Sequence, residues 1–278
     1  FFFSSRRRHT RFRNVTGVQT CALPILQLRR TDDLATLAWM QKNLAIPHGV
    51  IGQDSASIIY TDEQSRRWRL PRSREDYAVY GVFGPERIAR EVVTERDVLN
   101  LGGTFFELPA ENAGGIAKVR PISTHGRRIK DFASWRGMMV LTGIAADAPT
   151  SNRHIIRSDD GKAAVWLGAI DDLWSFGKPV GVGGPWKDTA VTANTPSDPY
   201  LVTGYEGKKI TLSHTASSPV RMKIEVDLSG SGTWVTYATL DVPAGRSLEH
   251  AFPDGYQAYW LRVSANTATT ATAWLTYE

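Results

Sequence analysis

Short apolar runs separated by polar turns dominate the chain from residue 57 onward. Four segments share the order apolar strand, polar turn and second apolar strand, and these are residues 57–70, 104–119, 154–167 and 200–212. Two of their turns contain Asp160-Gly161 and Glu206-Gly207, pairs that supply the positive φ angles of a tight turn. Each segment therefore predicts a β-hairpin.

The turns of these hairpins recur at intervals of roughly 45 to 50 residues, the repeat length of a four-stranded propeller blade. Four such units do not close a ring alone, and further blades on the N-terminal side would make up the difference. The pattern predicts an all-β protein, specifically a truncated β-propeller whose blades occupy residues 26–197.

Beyond residue 220 the strands follow one another more closely, and their alternation is clear. Met222, Ile224 and Val226 fall on one face of a strand, while Lys223 and Glu225 fall on the other. This pattern suits either a terminal blade or a small appended β-sandwich, and it slightly favours the sandwich, over residues 198–278. The one helix-like segment is residues 31–43.

The first 25 residues resemble translated sequencing-adapter DNA. Residues 15–25 read VTGVQTCALPI, which a common short-read adapter encodes, and residues 1–11 match a flow-cell primer preceded by a run of T. The alternative is a targeting segment, but a signal peptide places its charges before its apolar run, whereas here phenylalanines precede the arginines. We therefore expect the coding sequence to begin at Leu26 and the native N-terminal part to be missing.

Setting this segment aside changes the chemistry that the composition predicts. Its five arginines account for the whole net charge of +5, so the rest of the chain is neutral and gives no reason to expect a nucleic-acid partner. Cys21, the single cysteine, also lies there, so neither a disulfide framework nor a cysteine metal site is expected. No apolar run approaches the roughly 18 residues of a membrane helix.

Motifs for metals and nucleotides are absent from the sequence, which has no HExxH, GxxxxGK[ST] or helix-opening GxGxxG. The glycine-rich residues 181–184 favour a flexible loop between strands. We accordingly predict no cofactor and no metal.

Residues 136–278, with the motifs RSDDGKAAVWLG, DDLWSFGKPVGVGGPWKD, DPYLVTGYEGKK and ATAWLTYE, resemble the C-terminal part of uncharacterised secreted β-propeller proteins of environmental bacteria. The arrangement is also similar to propeller families that cleave polysaccharides as lyases or glycosidases. No catalytic signature of those enzymes matches residue by residue. The resemblance implies a propeller fold and a secreted or periplasmic location.

The densest polar cluster is RPISTHGRRIKDFASWR, residues 120–136, just before an apolar strand. Loops that enter the inner strands of a propeller gather around its axis, where binding sites form. His125 is a candidate general acid or base, with Arg136 near the chemistry. Arg120 and Arg127 are candidates to hold a substrate carboxylate, and Trp135 to stack on a sugar ring. The structural alternative pairs the arginines with acids such as Glu107 and buries Trp135.

A second candidate lies in residues 178–188, KPVGVGGPWKD. An exposed Trp186 beside Lys187 would form a carbohydrate platform, whereas a buried Trp186 would fill a gap between blades. The pair Asp171-Asp172 resembles the carboxylates of a glycosidase, but adjacent strand residues point to opposite faces, so a turn is favoured.

Two functional hypotheses follow. The first is a secreted polysaccharide lyase or glycosidase acting on an acidic polysaccharide. The second is a non-catalytic propeller scaffold that binds a glycan or a protein.

Overall fold

A computed structural model of the chain describes residues 49–77, 80–81, 84–85, 89–93, 96–127, 129–149 and 151–278. The predictions for residues 1–25 and for a helix at 31–43 lie outside the described residues. The described part is all-β, as the sequence predicts, with short 3-10 helices at Glu111–Ala113, Gly115–Lys118 and Ile170–Ser175.

The strands of the described residues, in chain order, are β1 (Ile51–Gln53), β2 (Ile58–Thr61), β3 (Arg67–Leu70), β4 (Tyr80–Gly81), β5 (Gly84–Pro85), β6 (Ala89–Val93), β7 (Arg96–Leu101), β8 (Thr104–Leu108), β9 (Arg120–Thr124), β10 (Phe132–Trp135), β11 (Met138–Ile144), β12 (Ile155–Arg157), β13 (Ala164–Ala169), β14 (Gly181–Val191), β15 (Tyr200–Leu201), β16 (Lys208–His214), β17 (Val220–Asp227), β18 (Trp234–Val242), β19 (Leu248–Ala251), β20 (Trp260–Ala265) and β21 (Thr269–Tyr277).

Two sheets, which we call the two-sheet unit, contain the C-terminal strands. One has the order β1-β2-β3-β15-β20-β17-β18 and the other β14-β21-β16-β19. All their pairs are antiparallel except β3 with β15, which is parallel. Strands from before residue 198 are therefore part of this unit, because β1 to β3 extend one sheet and β14 completes the other.

Strict alternation builds the core between these two sheets. Along β21, Ala271, Ala273, Leu275 and Tyr277 are buried while the residues between them are half-exposed. One hydrophobic cluster gathers buried side chains of both sheets, among them Ile224 on β17, Leu212 on β16 and Trp260 on β20. Burial of apolar side chains between two faces is the main stabilising contribution in such a layered arrangement.

The sheet β6-β7-β8-β9 is an antiparallel meander, and its two faces contribute to two different hydrophobic cores. Leu99 and Phe106 join the core of the two-sheet unit, whereas their neighbours Val98 and Phe105 face a second core. Because side chains alternate along a strand, these neighbours place β7 and β8 between two apolar layers.

The sheet β10-β11-β13-β12 packs on the other side of that second core, through Phe132, Met139, Leu141 and Trp166. Its order differs from a simple meander because β13 pairs with β11 and leaves β12 at the edge. None of the described sheets closes into a ring.

The hairpin predictions have mixed outcomes. The pairs β2–β3 and β12–β13 confirm the first and third. In the second, β8 does pair with a following strand, but β9 begins at Arg120, after two 3-10 helices. The fourth is wrong, because β15 and β16 lie in different sheets. The loop predicted at 181–184 is also wrong, because these glycines begin the long strand β14.

Candidate functional site

His125 lies in the turn that follows β9, and both of its ring nitrogens have partners. The backbone N–H of Arg127 donates to Nδ1 at 3.0 Å, so the ring proton resides on Nε2. Nε2 lies 3.0 Å from Oδ1 of Asn100 and donates to it. The ring also packs on Phe105, with 4.7 Å between centroids.

This environment makes His125 a structural residue. Asn100 is fully buried, and its amide group donates to the carbonyl of Ile129 at 3.3 Å, which fixes its orientation. Burial lowers the pKa of His125 from 6.5 to about 4, so the ring stays neutral near neutral pH. Because both nitrogens of the neutral imidazole are hydrogen-bonded, His125 stabilises the turn. This geometry does not support His125 as a general acid or base.

The arginines of the predicted cluster are dispersed. Arg120 pairs with Glu107 at 2.6 Å, which confirms the structural alternative for this residue. Arg127 is exposed, and its carbonyl accepts a hydrogen bond from the hydroxyl of Tyr77 at 2.8 Å.

Arg136 lies at the tip of the β10–β11 hairpin, whose sheet is a different one from that of β9, the strand before His125. It is exposed, and it and Gly137 have positive φ angles of 50° and 82°, as a two-residue type I′ turn requires. The side chain of Trp135, at the end of β10, lies outside the described part of the structure.

Trp186 is buried, with 6% of its surface exposed, and belongs to the core of the two-sheet unit. The prediction of an exposed platform at this residue is therefore wrong. The physical reason is register: Trp186 lies opposite Ala273, which points into the core. The next residue, Lys187, consequently points outward.

Lys187 lies over a different tryptophan. Its ammonium group is 4.7 Å from the centroid of the Trp274 ring, and it also pairs with the carboxylate of Glu75. That hydrogen bond holds the pKa of Glu75 below its usual value. An ammonium over an aromatic face is an attractive arrangement because the ring carries negative potential there.

Two irregularities in β14 create this arrangement. The pairing of β14 with β21 shifts between Gly183 and Trp186 and again between Trp186 and Thr189. Bulges re-aim side chains at the edge of a sheet. Asp188, in the second bulge, has a positive φ of 50°, and its backbone N–H donates to the Thr272 hydroxyl at 3.0 Å.

Hydroxyl groups surround Trp274 on the outer face of the sheet. Trp274 lies opposite Thr211 on β16, and Thr272 lies opposite Ser213. We call the half-exposed or exposed set of Lys187, Asp188, Thr211, Thr272 and Trp274 the Lys187–Trp274 face. It combines one apolar ring with a cation, a carboxylate and hydroxyls, so it offers both a stacking surface and hydrogen-bonding groups at its rim.

Sequence reasoning missed Trp274, although the sequence carries an indication of it. In TTATAWLTY, threonines alternate with small apolar residues, and Trp274 falls in step with the threonines. A tryptophan in the polar phase of an alternating strand is expected on the outer face of the sheet.

Other classes of site receive no support from the described residues. No group of three or more His, Cys, Asp or Glu side chains is placed to hold a metal ion. Within the same residues, no helix has the length and apolar character that crossing a membrane requires. Asp172 caps the 3-10 helix Ile170–Ser175 by accepting the backbone N–H of Ala169 at 2.7 Å.

Comparison with known proteins adds little. No family model matches the chain, and no curated protein matches it. A crystal structure of PirA is similar over 36% of this chain and 84% of that chain, with 13% sequence identity and a TM-score of 0.21. A likeness at this level carries no argument about fold or function.

Proposed function

We propose that the protein binds a glycan on the Lys187–Trp274 face and acts as a non-catalytic carbohydrate-binding protein. The observation that carries this proposal is a half-exposed tryptophan held among hydroxyls, with an ammonium 4.7 Å from its ring. One face of a pyranose ring presents C–H groups that pack on an aromatic ring, while its hydroxyls need hydrogen-bond partners at the rim. The Lys187–Trp274 face supplies both once the sugar draws the Lys187 ammonium from above the ring to its rim.

The charge of Lys187 favours an acidic glycan. A carboxylate on the sugar would compete with Glu75, whose side chain is 63% exposed, for the ammonium group. Exposed ion pairs are weak, so exchanging one carboxylate for another costs little. This is the same acidic class of polysaccharide that the sequence predicts, bound by other residues.

The test is affinity electrophoresis against a panel of acidic and neutral polysaccharides. Trp274→Ala should weaken binding about tenfold, because it removes the stacking surface. Trp174→Ala is the matched control, since Trp174 is 44% exposed on the 3-10 helix Ile170–Ser175. We expect the control to bind like the unchanged protein. Equal binding by the Trp274 variant, or no retained glycan in the panel, would refute the proposal.

The lyase or glycosidase hypothesis stays a prediction without a supporting observation in the described residues. His125 follows β9 and Arg136 follows β10, which belong to two different sheets, and Trp186 lies in a third. Release of unsaturated uronates or reducing ends from acidic glycans would support it.

We propose a propeller arrangement for the sheets β6-β7-β8-β9 and β10-β11-β13-β12. Its support is that β7 and β8 have a hydrophobic core on each face, as strands of a blade between two neighbours do. The edge position of β12 beside β13 departs from the order of a blade. A secreted or periplasmic location, which the sequence predicts, suits a glycan partner.

A further inference from the structure

The Lys187 ammonium, which the proposed glycan site uses, is bound by a carboxylate of the chain itself. It lies 4.7 Å from the centroid of the Trp274 ring and donates a hydrogen bond to the carboxylate of Glu75. Together these contacts keep the ammonium above the ring, at the place where a sugar would stack. A glycan that stacks on this face of Trp274 must therefore displace Lys187 from its position.

Glu75 lies at the tip of a short turn whose backbone is fixed on both sides. Before it, Arg72 exchanges two backbone hydrogen bonds with Val182 at the start of β14, at 2.9 and 2.8 Å. After it, the backbone N–H of Tyr77 donates to the carbonyl of Arg74 at 3.1 Å and closes the turn. The Glu75 side chain is exposed, so it can leave Lys187 by rotating about its own bonds while the backbone stays in place.

The surroundings of the Glu75 carboxylate favour a negative charge. Arg72 is buried, and Nη2 of its guanidinium donates to the Ser55 carbonyl at 2.8 Å, while its Nε has no hydrogen-bond partner within the described part of the chain. The hydroxyl of Ser55 donates to the Lys187 carbonyl at 3.1 Å, so Ser55 links the two cationic residues. The hydrogen bond from Lys187, the charge of Lys187 and the charge of Arg72 all hold the pKa of Glu75 below its usual value. Another carboxylate in the same place would meet the same two charges.

We propose that Glu75 is an internal competitor of the ligand, a role that rests on the proposed function. The Glu75 carboxylate binds Lys187 until the carboxylate of a uronate replaces it, and the ammonium then moves with the uronate to the rim of the Trp274 ring. An acidic glycan thus exchanges one ion pair for another, whereas a neutral glycan that displaces Lys187 breaks the pair without a replacement. The site therefore favours polysaccharides that contain uronates.

Calorimetric titration with short oligosaccharides of polygalacturonate and of alginate tests this role. Glu75→Gln should strengthen binding about threefold, because the ligand no longer competes with an exposed ion pair. Asp76→Asn is the matched control, since Asp76 lies in the same turn and pairs with Arg74 at 2.6 Å. It removes the same charge from the same turn, so a general electrostatic effect would strengthen binding equally in both variants. We expect the control to bind like the unchanged protein.

Lys187→Gln provides a second comparison. Without the ammonium, Glu75 has no group to withhold from the ligand, so adding Glu75→Gln to Lys187→Gln should have no further effect on affinity. The unchanged protein should bind the free acids more tightly than their methyl esters, which lack the charge. Lys187→Gln should remove this preference.

Three outcomes would overturn the role of Glu75 and leave the proposed glycan site intact. These are no gain in affinity from Glu75→Gln, an equal gain from Asp76→Asn, and a gain from Glu75→Gln that persists when Lys187 is replaced. If none of the oligosaccharides binds, or if Trp274→Ala binds them like the unchanged protein, the proposed function fails and the role of Glu75 fails with it.

Discussion

At the scale of single residues, the partners of a side chain decide its role, and these partners are distant in sequence. The sequence places His125 in a polar cluster, which favours a catalytic interpretation. The fold then supplies Asn100 from β7, 25 residues away, as the partner of Nε2. Sequence patterns cannot show this hydrogen bond, because it depends on how β7, β8 and β9 pair.

His125 should make stability depend on pH. Its pKa is about 4 in the folded protein and near 6.5 when unfolded, so between these values the unfolded chain binds the extra proton. Above pH 6.5 the effect vanishes, and as pH falls toward 4 it costs on the order of 3 kcal/mol of unfolding free energy. Urea unfolding at pH 7.5 and pH 4.5 measures the loss, because these two pH values lie on either side of the pKa of the unfolded imidazole, about 6.5.

The comparison variant is His125→Gln, which keeps a hydrogen-bonding side chain but does not titrate. Its unfolding free energy at neutral pH can be lower than that of the unchanged protein, so only the difference between the two pH values is compared. We expect a smaller acid-induced loss in the variant. An identical loss in both proteins would show that other groups cause it.

At the scale of elements, β14 shows where sequence patterns fail. Its glycines and proline are typical of a loop, and the sequence accordingly predicts one at residues 181–184. The structure instead uses glycine for close approach, because a Cβ on Gly184 would lie 1.9 Å from the carbonyl oxygen of Ala273. The bulges that follow bury Trp186 and expose Lys187, which no simple alternation predicts.

Gly184→Ala should therefore be strongly destabilising. The contact is with backbone in a paired strand, so it cannot be relieved by moving a flexible side chain, and we expect a loss of about 3 kcal/mol in unfolding free energy. Gly52→Ala is the matched control, because a Cβ on Gly52 in β1 meets nothing within 4 Å. Urea unfolding should place the control within about 0.5 kcal/mol of the unchanged protein. Similar values for both variants would contradict the close approach.

By contrast, β21 is an element whose pattern does predict its structure. Alternation in TTATAWLTY separates buried Ala273 and Leu275 from half-exposed Thr272 and Trp274. The pattern fixes which residues share a face. Lys187 joins Trp274 only through the pairing of β14 with β21, across 87 positions of sequence, so the composition of the candidate site could not be predicted.

At the scale of the whole molecule, local pairings follow from sequence and distant ones do not. The hairpins β2–β3 and β12–β13 have partners a few residues apart, and the turns between them are visible in the sequence. The parallel pairing of Arg69 with Tyr200 joins segments far apart in the chain, and it brings the N-terminal hairpin into the two-sheet unit. Repeat spacing cannot indicate such a connection.

Backbone amide shifts recorded by NMR during titration with an acidic oligosaccharide test the proposed glycan site most directly. We predict that the shifts that change belong to Asp188, Thr211, Thr272 and Trp274, and that the Trp274→Ala variant needs about tenfold more oligosaccharide to show the changes at the other three residues. Changes centred on His125 and Arg136, or changes that occur in the Trp274→Ala variant at the same oligosaccharide concentrations as in the unchanged protein, would contradict the proposed site.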